Sequence, residues 1–162
     1  MNAPALRRAR SFSAISSAVV TAAALLGFLI GLGRRSGVAW RPLNAAAHAI
    51  IGPHADDVWN FATDVTPLGG AVVLASSAVA AWLATTLASI LPVRSAALLS
   101  SAMVALLGYQ LHVHVATRGS GGLAALLSTG ELRAMYVVLA VALVAGMRLA
   151  FSPGAGEAGH HS

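Results

Sequence analysis

The imidazoles and carboxylates that could do chemistry here are few. Outside the C-terminal tail they are His48, His54, Asp56, Asp57, Asp64, His112, His114 and Glu131. His48, His54, His112 and His114 with Asp56 and Asp57 form a nitrogen and oxygen donor set of the kind that ligates zinc or another divalent transition metal. The spacing of His-x-His at 112–114 limits this reading. Residues two apart on a helix point about 200° away from one another, so the two rings can share an ion only where the helix has already ended. The plainer alternative makes them polar residues at a helix terminus. A haem held by two imidazoles needs histidines on facing helices at matched depth, and only one apolar run carries any. Cys is absent, which excludes disulfides, thiolate catalysis, Cys-ligated zinc and iron–sulfur clusters within this chain. No G-x-S-x-G, H-E-x-x-H or P-loop occurs. No resident cofactor is expected, with a metal ion as the alternative.

The elements that must position these groups are apolar helices. The chain of 162 residues is 57% hydrophobic and 9% charged, against about 25% charged in a soluble domain. Mean hydropathy is +0.78. Four runs, 13–32, 66–91, 95–115 and 132–151, are each long enough to cross a hydrocarbon core that needs about 20 helical residues. Arg133 and Arg148 lie within a turn of the ends of the last run. The expected fold is all-α: a polytopic membrane protein with four transmembrane helices and a short interfacial helix between spans one and two. One membrane domain covers 12–151, between a basic tail at 1–11 and a disordered tail at 152–162. The net charge of +5 comes with ten arginines and no lysine. They stand beside the apolar runs, where they anchor helix ends at headgroups rather than bind nucleic acid. The stretch 14–32 exceeds the 7–15 residues of a usual signal-peptide core, so an uncleaved first span is expected.

Local signals refine the plan. Ser17, Thr21, Gly27 and Gly31 form a small-residue stripe on the first span, the last two as a GxxxG, and favour close helix packing. Arg34, Arg35, Trp40 and Arg41 read as interfacial anchors. Residues 43–51 read as an amphipathic helix on the membrane surface: Leu43, Ala46, Ala47, Ile50 and Ile51 share one face, Asn44 and His48 another, and Gly52-Pro53 ends it. Pro67 suits the first turn of span two, and Pro92 stops that span. Ser128 or Thr129 with Glu131 supplies the start of span four.

Four spans put the loop before span two and the end of span three on the same side. His48, His54, Asp56, Asp57, Asp64, His112, His114 and Glu131 therefore gather on one face, here called face B. The arginines divide evenly, Arg7, Arg8, Arg10, Arg94 and Arg148 against Arg34, Arg35, Arg41, Arg118 and Arg133. The positive-inside rule therefore does not fix the orientation, and the scarcity of acidic neighbours on the first side favours N-in, C-in. Tyr109 and His112, three apart on one helix face, read as polar glue to a neighbouring span. No carboxylate lies at mid-depth in spans two to four, which weakens a pump or transporter.

Leu43-Asn44, His48 and Gly52 after a first span resemble the corresponding loop of a set of small proteobacterial membrane proteins to which no activity is assigned. Tyr109, Arg118, Gly122, Leu127-Ser128, Leu132 and Tyr136 are similar to that set's spacing around its third and fourth spans. The chain departs from the set at Gly108, where an acidic residue precedes the tyrosine, and near Pro67, where a histidine stands. The resemblance, over 12–150, implies a four-span fold. The expected location is a bacterial inner membrane, with the lipid bilayer as partner. The expected role is a structural or accessory subunit packing with itself as a homo-oligomer or with a larger membrane complex. A metal-binding membrane protein using the face-B cluster and a transporter subunit are the alternatives.

Overall fold

The computed structural model describes residues 3–92, 95–115 and 121–150, with side chains from residue 11 to 149. Arg94, Arg118, Glu157, His160, His161, the tail at 152–162 and the side chains of Arg7, Arg8 and Arg10 lie outside the described residues. Among the described residues there is no strand, and four helices are long and apolar enough to span a membrane. They are α1 (Ala3–Arg35), α4 (Thr66–Ile90), α5 (Ala96–His114) and α7 (Thr129–Ala150). Three short helices, α2 (Arg41–Ala46), α3 (His48–Ile51) and α6 (Gly122–Leu126), with a 3-10 turn at Gly52–Asp57, sit at face B. The first helix begins at Ala3, so most of the basic stretch at 1–11 is continuous with it.

The spans form an up-down-up-down bundle in which α1 packs on α4 and α7, and α5 packs on the same two. Every neighbouring pair is antiparallel, as alternating crossings in an up-down-up-down order require. The contacts are made by small residues. Ser17 and Thr21 are fully buried. Gly146 of α7 lies against the Ser17 backbone, so that a Cβ at 146 would overlap the Ser17 Cα. On α4 the buried stripe is Gly69, Val73, Ser77, Ala81 and Ala84. Lipid supplies no hydrophobic force between helices, and close backbone approach takes its place.

Helix ends follow local chemistry. Past α1, Gly37 takes φ +79°. Its N–H donates to Arg34 O at 3.2 Å and Val38 N–H to Gly33 O at 2.8 Å, a Schellman closure that a Cβ would strain. Ser128 starts α7 as a capping box: its hydroxyl donates to Glu131 Oε2 at 2.7 Å, and Glu131 N–H donates back to Ser128 Oγ at 3.3 Å.

One expectation needs correction. The segment 43–51 is not one surface helix. It breaks at Ala47 into α2 and α3, and residues Leu43 to Ala47 are buried. Its first half, α2, packs against α1 and α4. The reason is its mixed pattern: alanines surround Asn44, so the helix has no strongly polar side to show water. The small-residue stripe also divides. Ser17 and Thr21 pack inside the bundle, while Gly27 and Gly31 meet nothing within 4 Å of an added Cβ.

These contacts predict opposite outcomes for four glycines. Gly69→Leu and Gly146→Leu should destabilise the fold by about 2–3 kcal/mol, the upper range for overpacking a well-filled contact. Gly27→Leu and Gly31→Leu should leave monomer stability within about 0.5 kcal/mol, as surface changes do. Denaturant titration in mixed micelles, followed by circular dichroism, measures both.

Candidate functional site

The site is built on Asn44, which is 0% exposed. Its Nδ2 donates to Val58 O at 2.9 Å and Asn60 O at 2.8 Å. Its Oδ1 accepts from the Thr66 hydroxyl at 2.7 Å, and Thr66 Oγ1 accepts from Ala62 N–H at 3.0 Å. One side chain thus ties α2 to the 58–62 loop and to the first residue of α4. A buried amide left unpaired is costly, and paired it fixes a unique geometry. The fixed α2 lies on α4 through Gly69, where a Cβ would overlap Leu43 O.

One turn beyond Asn44 stands His48. Its Nδ1 is 2.8 Å from Asp56 Oδ2, and Asp56 Oδ1 accepts from Gly122 N–H at 2.9 Å. A carboxylate is acceptor-only, so His48 Nδ1 carries the proton. Gly121 and Gly122 cross close to this pair. A Cβ at 121 would overlap the His48 ring, and Gly122 has φ +66°. Asp56, held by His48 on one oxygen and by Gly122 N–H on the other, therefore joins the loop before span two to the loop before span four.

A second polar cluster lies between α5 and α7. Tyr136 OH is 3.2 Å from His112 Nδ1. Its ring meets those of Tyr109 and His112 edge-on, with centroids 5.8 and 6.0 Å away. Arg133 Nε donates to Tyr109 OH at 3.4 Å. Gly108 makes room for the Tyr136 ring, whose Cε1 would lie 2.8 Å from an added Cβ. This explains physically why a small residue precedes Tyr109. The glue expected of Tyr109 and His112 is present, with Tyr136 as its partner.

Between these clusters lies a cavity of about 870 Å³. It opens where α4 and α5 diverge from their hairpin at Pro92. Leu25, Leu29 and Leu139 form part of its back wall, and His48, Gly122 and Leu123 are at its face-B end. Val79, Leu107 and Leu111 on its rim are exposed. The α4 residues along it run from Val72 to Leu83, about 17 Å of helix, or roughly half the hydrocarbon thickness. Among its described lining residues the polar side chains are His48, Ser76, His112 and Tyr136, and none is an arginine or a carboxylate.

No protein family, curated protein or solved structure matches this chain.

The sequence-based metal candidates separate. His48 and Asp56 meet, whereas His54 and Asp57 are exposed on the 3-10 turn. The α5 helix continues to His114, so His112 faces α7 while His114 is exposed and bonds Gln110 Oε1 at 3.0 Å. Among the described residues no group of three or more His, Asp or Glu side chains comes together to hold a metal ion. Of the interfacial anchors, Trp40 packs edge-on against Phe61 at 5.3 Å and the Arg41 guanidinium lies 4.1 Å above the Trp59 ring, a cation–π contact. Arg34 and Arg35 are exposed in the last turn of α1. Sequence reasoning placed Asn44 on an exposed polar face and assigned nothing to Gly121, Ser76 or the cavity. A lone Asn in an alanine-rich helix was the available signal for the first.

Removing the Asn44 amide should cost about 2–4 kcal/mol, since a buried hydroxyl and two part-buried carbonyls lose their bond together. Asn44→Asp, which keeps the shape but turns a carboxylate on the carbonyls of Val58 and Asn60, should be no better than Asn44→Ala. Both follow from urea titration in micelles. An Asn44→Asp variant as stable as the wild type would contradict the assignment.

Proposed function

We propose that this protein binds the apolar chain of a membrane amphiphile in the cavity between α4 and α5. The observation that carries the reading is the cavity itself. It lies within the spanning segments, is about one leaflet deep, and is apolar except for His48, Ser76, His112 and Tyr136 among its described lining residues. Its volume falls within the usual range for small-ligand sites, about 300–1,000 Å³. The cap formed by α2, α3 and α6 closes it at face B, the level at which a lipid of that leaflet carries its head. A bound chain from that leaflet would lie along α4 and α5 with its head near His48.

A structural or accessory role as a subunit is the second reading, and a separate observation favours it. Gly27 and Gly31, one turn apart on the outward side of α1, are open to close approach by another helix. A second copy of this chain or a larger membrane complex would be the partner. The two readings are compatible, because α1's open stripe and the cavity use different surfaces. In both, the protein resides in a bacterial inner membrane as a multi-pass protein with both termini inside. That orientation rests on the lack of acidic residues beside the arginines of the N-terminal side.

The test is the lipid retained after extensive exchange into a short-chain detergent. The wild type should keep about one amphiphile per chain. Ser76→Trp, which puts an indole into the cavity from an exposed position, should lower that by at least about fivefold, corresponding to the roughly 1 kcal/mol of even a modest steric conflict. Equal retention by both proteins would contradict the reading. For the second reading, Gly27→Leu and Gly31→Leu should shift the sedimentation of a homo-oligomer towards the monomer, with stability unchanged.

A further inference from the structure

We infer that the head of the bound amphiphile is an uncharged hydroxyl, accepted as a hydrogen-bond donor by His48. This rests on the cavity being an amphiphile site, and it goes further by naming the head.

Charge narrows the choice first. Among the described residues lining the cavity, His48, Ser76, His112 and Tyr136 supply the polar side chains. Among those described lining residues there is no arginine to pair a phosphate or a carboxylate, and no carboxylate to pair an ammonium. A charged group placed there would give up part of its hydration with no counter-ion among those side chains, which is unfavourable. The nearest acid, Asp56, already has both oxygens engaged, by His48 Nδ1 and Gly122 N–H, and its charge opposes an anionic head.

The direction of the hydrogen bond narrows it further. With its proton on Nδ1, neutral His48 presents Nε2 as an acceptor. The Asp56 carboxylate fixes that tautomer, as an orienting acid does for an imidazole base. The complementary group is therefore a donor. A hydroxyl supplies one without charge, whereas an ester, an ether or a carboxylate supplies only acceptors. Gly121 and Gly122 bring the backbone against the His48 ring, which holds the ring in place beside the head. Long-chain alcohols, isoprenoid alcohols and acylglycerols with a free hydroxyl share this chemistry.

The experiment uses the full-length protein in detergent at mildly alkaline pH, where imidazole is neutral. A photoreactive analogue of cetyl alcohol, with a diazirine in its chain, is cross-linked and the labelled peptides are mapped by mass spectrometry. Unlabelled cetyl alcohol, palmitic acid and cetyltrimethylammonium compete. Labelling is expected on the α4 and α5 cavity residues. Cetyl alcohol should compete at concentrations roughly three- to tenfold lower than the other two, the factor that one net hydrogen bond provides. His48→Phe should abolish that preference while the cavity is still labelled. Asp56→Asn gives an independent signature. Gly122 N–H still requires an acceptor, so the Asn oxygen stays there and its NH2 group faces His48 Nδ1. That moves the imidazole proton to Nε2, and the alcohol's advantage over palmitate should vanish or reverse. Palmitate or cetyltrimethylammonium competing as well as the alcohol in the wild type would overturn the inference while leaving the cavity site standing. So would a preference that survives His48→Phe. Equal labelling of wild type and Ser76→Trp would overturn the cavity site itself.

Discussion

The architecture at face B depends on one buried amide. Asn44 spends its two donors on Val58 O and Asn60 O and its acceptor on Thr66. These partners come from different parts of the chain and meet at the end of an apolar bundle. In a region of low dielectric such groups are costly when orphaned and strongly directional when paired. The amide therefore decides where α2 sits, and α2 decides where α3 begins. His48 stands at that beginning, and the Asp56 carboxylate then ties it to the loop ahead of α7. The cap over the cavity is a chain of hydrogen bonds that starts at Asn44.

The helices beneath the cap obey a different rule. Between spans surrounded by lipid, burying an apolar side chain gains little over leaving it in acyl chains. Close approach at Gly146, with room for the Tyr136 ring at Gly108, sets the geometry instead. Where small residues let α1 meet α4 and α7, the bundle is tight. Between α4 and α5, toward face B, larger residues such as Val79, Leu107 and Leu111 face outward, and the cavity remains. The same rule accounts for both the packing and the gap.

Hydropathy alone made the four spans legible, because length and absence of charge in the runs are properties of the residues themselves. The observed spans differ from the sequence-based bounds by a few residues at most of their ends. Ser128 and Glu131 were readable for the same reason, since a capping box is local. Asn44 was not. Its partners lie 14 to 22 residues away, and the helical periodicity of 43–51 argued for a surface face. The metal-ligand set showed the opposite weakness. Residue types placed six candidates on one face, and most did share that end of the bundle. Which of them touch depends on ring directions: the pairing of His48 with Asp56, and the turning of His112 toward α7 and away from His114. Gly27 and Gly31 looked like a packing motif on spacing alone. Whether a helix faces such a stripe is a tertiary matter.

The cavity between α4 and α5, as a lipid site, must differ from the general lipid-facing surface. Methyl NMR of the protein in bicelles, titrated with a lipid carrying a nitroxide in its chain, tests this directly. Val79, Leu107 and Leu111 border the cavity, while Val137 and Val141 are equally exposed on the outer side of α7. A specific site predicts that methyl groups of the first three residues broaden at low mole fractions of the labelled lipid and saturate, while the α7 pair broadens gradually and in proportion. Parallel broadening of all five residues would contradict it and reduce the cavity to ordinary boundary lipid.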